Sequence, residues 1–235
     1  MGAAHNLQSC LVGRKNIILA LAANIEFKAA ENIFTLKPCR IKNVNAYAAE
    51  IINDYNIIIV RSEIGALGPW SSTLELYDAI YKFSPEYVIM AGIAFGLKDD
   101  KQSIGDILIS TEIIDYETGK LSMGNFEQRG STYVATRELI LKAQQIKAKS
   151  HIGQIVSGSK IVDDVNFREN LIYRYPYAIG GEMEGRGLAA SCIRHNISWI
   201  LVKAVSDWGI YKRDDAQYDA ALNSIQFCRE LIKLL

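Results

Sequence analysis

The chain has 235 residues, with 26 Lys+Arg against 26 Asp+Glu and so no formal net charge. Apolar residues make up 49% and charged residues 22%, which supplies a core and excludes an intrinsically disordered chain. The lack of a basic surplus argues against a nucleic-acid partner, because proteins that track phosphates carry excess positive charge.

Residues 1–14 read as an irregular lead-in. The apolar run at 16–22 predicts a strand covered on both faces, and 24–35 a short helix stopped by Lys37-Pro38. Residues 44–52 and 55–61 predict two strands joined at the turn pair Asn53-Asp54. Gly65, Gly68 and Pro69 form a loop, with Pro69 opening a helix over about 70–83. A buried strand at 87–91 runs into the loop Gly92-Ile93-Ala94-Phe95-Gly96. Strands follow near 106–110 and 112–117, a helix at 136–148 and a strand at 152–157. The remainder alternates: helix 165–173, strand 178–182, helix 184–195, strand 197–205 and a closing helix 215–234. The alternation predicts an α/β fold around a mixed sheet with helices on both faces, and one domain over residues 1–235, since no repeat or linker-like stretch interrupts it.

The four cysteines (Cys10, Cys39, Cys192, Cys228) lack any CxxC spacing and read as reduced thiols, and His5, His151 and His195 form no ligand pattern. No metal site and no cofactor are expected. Arg14-Lys15 before the apolar run Ile17–Ala23 imitates a signal peptide, but the run is short and Asn24 and Glu26 follow at once. Met1-Gly2 opens like a myristoylation signal, yet position 6 is Asn6. A soluble cytoplasmic protein without a membrane partner is expected.

Ligands of α/β sheets gather at the carboxyl ends of strands. Those positions hold Glu26 after the first strand, Gly65 and Gly68, the 92–96 loop, Ser157-Gly158-Ser159, Glu182-Met183-Glu184-Gly185, and Ser206-Asp207-Trp208-Gly209. Acids directly after buried strands sit where burial favours the protonated form. Each feature also has a plain structural reading: the glycines as turns, Glu26 as a solvated helix residue, Asp207 as a cap. Neither GxGxxG nor GxxxxGK[ST] occurs.

Two segments in order change that balance. Gly181-Glu182-Met183-Glu184-Gly185 followed by Val202-Lys203-Ala204-Val205-Ser206-Asp207 resembles the nucleoside phosphorylase superfamily, and within it the 5'-methylthioadenosine/S-adenosylhomocysteine nucleosidase branch. Ala22–Glu26, Ser62–Gly65, Gly92–Gly96, Ile104–Ser110 and Ile155–Gly158 fall in matching order, over roughly residues 16–232. The resemblance implies a three-layer α/β/α sandwich around a mixed, partly closed central sheet. It implies cleavage of a purine–ribose bond, a small-molecule purine nucleoside or nucleotide as ligand, and a homo-oligomer. By the same resemblance Asp207 is the general acid toward the purine N7, steadied by Ser206, and Glu26 is the base that activates water. Glu184 accepts from the ribose hydroxyls, Met183 and Glu182 adjoin the sugar, and Ile161 and Val162 face the base edge. Ile93, Ala94 and Phe95 of the glycine loop complete the ligand contacts.

These residue types suit the chemistry. Purines leave poorly as anions, so a positioned acid accelerates departure, typically by about 10²–10⁴-fold. A second carboxylate takes the proton from water, as in inverting glycosidases, and a third stabilises the developing sugar cation. Phosphorylases resembled here carry an arginine before the glycine loop, whereas this chain has Met90-Ala91-Gly92-Ile93, and Arg61 lies on another strand. Water is therefore the expected nucleophile, with phosphorolysis as the alternative. Gly-Ile-Ala-Phe-Gly and Ser-Asp-Trp also look like nucleosidase modules of bacterial defence proteins that act on AMP or ATP, in which case Lys212 and Arg213 face a 5'-phosphate. A non-catalytic nucleoside sensor is the remaining alternative.

Overall fold

A computed structural model describes residues 14–41, 43–211 and 215–235. The first half contains β1 (Lys15–Leu21), α1 (Asn24–Ile33), β2 (Lys37–Ile41), β3 (Val44–Ile52), β4 (Tyr55–Arg61), α2 (Ser72–Phe83), β5 (Tyr87–Met90) and β6 (Ile93–Gly96). Next come β7 (Ile107–Asp115), β8 (Gly119–Ser122), β9 (Asn125–Gln128), β10 (Thr132–Val134) and α3 (Arg137–Ala143). The chain ends with β11 (Ser150–Ser157), α4 (Val165–Arg174), β12 (Ala178–Glu182), α5 (Gly185–His195), β13 (Ser198–Asp207) and α6 (Gln217–Ile232).

One sheet has the order β10-β7-β11-β12-β6-β13-β5-β1-β4-β3-β2. β7 also pairs antiparallel with β13, through Val202↔Ile109 and Ala204↔Ile107. That second pairing closes β7, β11, β12, β6 and β13 into a barrel, while β5, β1, β4, β3 and β2 continue as an open sheet. β1, β5 and β13 are the parallel centre, and their runs Ile17–Leu21, Val88–Met90 and Ile200–Val205 are almost wholly buried, as strands covered on both faces must be. Helices α1 and α6 pack together, as do α2 and α5, and both α5 and α6 lie against β13. This is the expected mixed, partly closed α/β sandwich.

Several local expectations are corrected. Lys37-Pro38 does not simply end a helix: α1 stops at Ile33 and Lys37–Ile41 is the edge strand β2, where the missing proline N–H is tolerated. The 92–96 loop is largely strand β6, held by β13 on one side and β12 on the other. The two strands expected at 106–110 and 112–117 are one strand, β7. Its pairing with β11 skips from Ser110 to Glu112, so Thr111 is a bulge where a break was read. The helix expected over 136–148 is only Arg137–Ala143, and the hairpin β8–β9 was not anticipated. α2 begins at Ser72, behind the N-cap Ser71, rather than at Pro69. No helix among the described residues is long and apolar enough to cross a membrane. His5, Cys10, Lys212 and Arg213 lie outside the described residues.

Candidate active site

Two helix starts and one strand end bring the carboxylates together. Glu26 is the third residue of α1, and instead of reaching solvent it folds back over the helix N-terminus. Its Oε2 accepts from the backbone N–H of Ala22 at 2.7 Å and of Ala23 at 3.0 Å, satisfying donors that a helix start leaves open. Its Oε1 accepts from the Ile93 N–H at 2.9 Å, tying α1 to the start of β6. Glu26 is therefore 1% exposed and not a solvated helix residue.

Glu182 does the same for α5. Its Oε2 accepts from Glu184 N at 2.8 Å and Gly185 N at 2.7 Å. Burial, then the charge of Glu184, pushes the Glu182 carboxyl up to about 7 against the opposing pull of Lys203. Glu184, the α5 N-cap, thus turns its side chain elsewhere. Its Oε1 accepts from Gly65 N at 2.8 Å and its Oε2 from Lys203 Nζ at 3.2 Å.

Lys203 sits in the middle of β13 and is completely buried. Its ammonium lies 3.2 Å from Glu184 and 3.6 Å from Glu26. Burial alone lowers a lysine pKa, but the carboxylates of Glu26, Glu184 and Glu182 outweigh it and hold this one above its ordinary value. Gly92 makes room for the Glu26–Lys203 contact. Its φ is +150°, and a Cβ there would lie 2.0 Å from Glu26 Oε1 and 2.7 Å from Lys203 Nζ.

Asp207 is the last residue of β13. Its Oδ1 accepts from Gly209 N at 2.8 Å, and Ser206 Oγ donates to its Oδ2 at 2.9 Å. The Ser206 hydroxyl also lies 3.3 Å from the Ala94 carbonyl, fixing both residues against β6. Phe95 and Val162 are buried beside this end of the strand, and Ile161 is 67% exposed at the rim.

A cavity of about 310 Å³ joins these parts. Glu26, Glu184 and Asp207 line it, and so do Ser206, Glu182 and Met183. The five β6 and base-loop positions expected from sequence, Ile93, Ala94, Phe95, Ile161 and Val162, all line the cavity. Sequence reasoning missed Lys203, Lys160 and Gln217. Lys203 carried a usable signal, because a lysine inside an apolar strand must be paired with an acid to be buried. Lys160 and Gln217 are polar residues of a loop and a helix start, with no such signature. Arg61 stands apart: its guanidinium donates to Asn24 Oδ1, lies 5.0 Å from the Phe27 ring centre and lines a separate cavity of about 840 Å³ with Glu63 and Glu75.

A family model described as the phosphorylase superfamily matches residues 16–234. The chain belongs to the phosphorylase superfamily. Among its relatives within the superfamily is a 5'-methylthioadenosine/S-adenosylhomocysteine nucleosidase of Staphylococcus haemolyticus, 28% identical over 207 residues that cover 83% of this chain and 89% of that protein. Among solved structures, the nucleosidase of the same name from Neisseria meningitidis, in complex with methylthio-immucillin-A, superposes with a TM-score of 0.82 at 23% identity, covering 94% of this chain and 100% of the other. A futalosine hydrolase of Helicobacter pylori gives 0.82 at 20% identity, covering 94% and 98%. These superpositions bear out the superfamily's fold for this chain.

Proposed function

We propose that the protein is a purine nucleosidase that hydrolyses the N-glycosidic bond of an adenine nucleoside of the methylthioadenosine/S-adenosylhomocysteine type. The observation that carries this is the single cavity lined by Glu26, Glu184 and Asp207, with Lys203 between the first two. The nucleosidase relatives support it. The purine lies at the Asp207 end against Phe95 and Val162, and the ribose hydroxyls donate to Glu184. Glu26 takes a proton from water as the water oxygen bonds to C1'. The C1'–N9 bond breaks, its electron pair passes into the purine, and Asp207 delivers its proton to N7, so adenine departs neutral. Solvent returns the proton from Glu26 to Asp207.

Water suits this site better than phosphate. Two carboxylates share one ammonium there, and a phosphate dianion beside them is repelled. The proposal includes a single-domain, cytoplasmic enzyme, as the sequence patterning leads one to expect, and a homo-oligomer, as the resemblance implies. The test is a panel of methylthioadenosine, S-adenosylhomocysteine, adenosine, AMP, ATP and inosine, with and without phosphate, following free base by chromatography. Adenine is expected from the thionucleosides without phosphate; a requirement for phosphate, with ribose 1-phosphate formed, would show the proposal wrong.

The Gly92 contact makes a further expectation. Gly92→Ala displaces the Glu26 carboxylate from its water-activating place, and a misplacement of about 1 Å costs about 10²-fold in rate. Adenine release by the variant should fall by that order; activity within a few-fold of wild type would mean that Glu26 does not need this position.

A further inference from the structure

The segment that covers the purine end of the cavity runs from Ser157 to Asp164, between β11 and α4. Lys160, Ile161 and Val162 of this segment line the cavity. Backbone hydrogen bonds hold its two ends, from Gly158 N to the Glu182 carbonyl at 3.1 Å and from Asp164 N to the Gly209 carbonyl at 3.1 Å. Its middle is held by side chains. Glu117 accepts from Ser159 N at 2.7 Å through Oε2, and its Oε1 pairs with Lys160 Nζ.

Arg186 completes this arrangement from the other direction. It lies in the first turn of α5, two residues after Glu184, and its side chain is 13% exposed. One guanidinium nitrogen lies 3.4 Å from Asp115 Oδ1. The other donates to Ser159 Oγ and lies 3.4 Å from Glu117 Oε2. The Arg186 backbone N–H donates to Ser157 Oγ at 3.2 Å, at the root of the same segment. Asp115 is itself fixed, accepting from Glu117 N at 3.0 Å and from the Thr118 hydroxyl at 2.6 Å. Two cations and two carboxylates thus balance in a cluster in which Arg186, Asp115 and Glu117 are largely buried and Lys160 is exposed. Burial pushes the Glu117 carboxyl up, but Lys160 and Ser159 outweigh it and hold it below its usual range, so the charges persist at neutral pH.

We propose that Arg186 is a positioning residue that clamps the purine-covering segment to the helix start carrying Glu184, so that the purine and ribose ends of the cavity are held at one fixed separation. The proposal rests on the adenine-nucleoside reading of the site. Arg186 touches no reacting atom. It acts through Ser159 and Glu117, and loss of the clamp frees Ile161 and Val162 from the purine while Glu26, Lys203 and Asp207 keep their own partners. The consequence is weaker binding of the base more than slower chemistry. Lysine in its place keeps the charge but cannot reach Asp115, Glu117 and Ser159 at once with a planar fork.

The experiment measures adenine affinity by calorimetry and steady-state kinetics on methylthioadenosine for wild type, Arg186→Met, Arg186→Lys and Glu117→Gln. Charge-assisted hydrogen bonds of this kind support a loss of about 10–100-fold. Arg186→Met is expected to weaken adenine binding and raise KM by that factor, with kcat changed by much less, and Arg186→Lys to recover part of the loss. Glu117→Gln, which loosens the segment from its other side, is expected to act in the same direction and serves if Arg186→Met does not fold. Adenine affinity and KM unchanged in both variants would overturn the clamp. Equal falls in kcat and active fraction with unchanged KM, the signature of a merely structural residue, would also overturn it. Wild type that neither binds adenine nor hydrolyses the nucleoside would overturn the clamp together with the functional proposal beneath it, whereas tight wild-type binding retained by Arg186→Met overturns the clamp alone.

Discussion

Asp207→Asn is expected to lower adenine release by about 10²–10⁴-fold, the usual contribution of a positioned general acid, while leaving the fold intact. The two hydrogen bonds of Asp207 explain the second half of that expectation. Its Oδ1 accepts from Gly209 N, a role the amide oxygen of asparagine can keep. Its Oδ2 accepts from Ser206 Oγ, which also lies within reach of the Ala94 carbonyl. An amide NH₂ in place of Oδ2 donates to that hydroxyl, and the hydroxyl donates on to Ala94, so the chain of hydrogen bonds survives with one link reversed. What the amide cannot supply is a proton for N7. Initial rates of adenine formation, read beside a thermal melt, test both halves. A rate within a few-fold of wild type would remove Asp207 as the acid.

Lys203→Met is expected to cost stability as well as activity. The ammonium is completely buried between Glu184 and Glu26. Methionine fills much of the same volume but leaves two carboxylates buried with no cation between them. Removing one partner of a buried ion pair typically costs about 3–5 kcal/mol. In a domain of this size each kcal/mol is worth about 2–4 °C of melting temperature, so a fall of about 10 °C is anticipated. Adding Glu26→Gln to Lys203→Met removes one of the stranded charges and should recover part of the loss, a coupling that a double-mutant cycle measures directly. If the single variant melts with wild type, the three groups do not form the charged cluster described.

The two expectations draw on different levels of the molecule. Asp207 stands out in the sequence because it directly follows an apolar strand and sits beside Ser206, in a motif shared with a known superfamily. Lys203 lies four residues earlier in the same motif and was passed over. Its role depends on Glu26, which approaches only because β1 and β13 flank β5 in the sheet. A lysine inside a buried strand announces that it has a partner; which partner is a matter of strand order.

The errors in element assignment share a physical cause. Ile93–Gly96 lacks the length and the β-branched run of a strand, and it is one because β12 and β13 offer it hydrogen bonds on both sides. Lys37–Ile41 carries a proline and still pairs with β3, because it lies at the sheet edge, where one side of the ladder has no neighbour. Thr111 reads as a break between two strands but is a bulge that the β7–β11 ladder absorbs. In each case long-range pairing overrides a local preference of modest size.

The sequence by itself determined the α/β alternation, the buried central strands and the residue types at the strand ends, because apolar runs and their interruptions are local properties that burial acts on directly. The motif order added the superfamily and a set of candidate residues. Only the tertiary structure decided that Glu26, Glu184 and Asp207 line one cavity, that Lys203 lies buried between the first two, and that Arg186 joins the 157–164 segment to the start of α5. Those contacts join segments distant in the chain, and the pairing of β5 with β1 and β13, and of β6 with β12 and β13, brings them within hydrogen-bonding range.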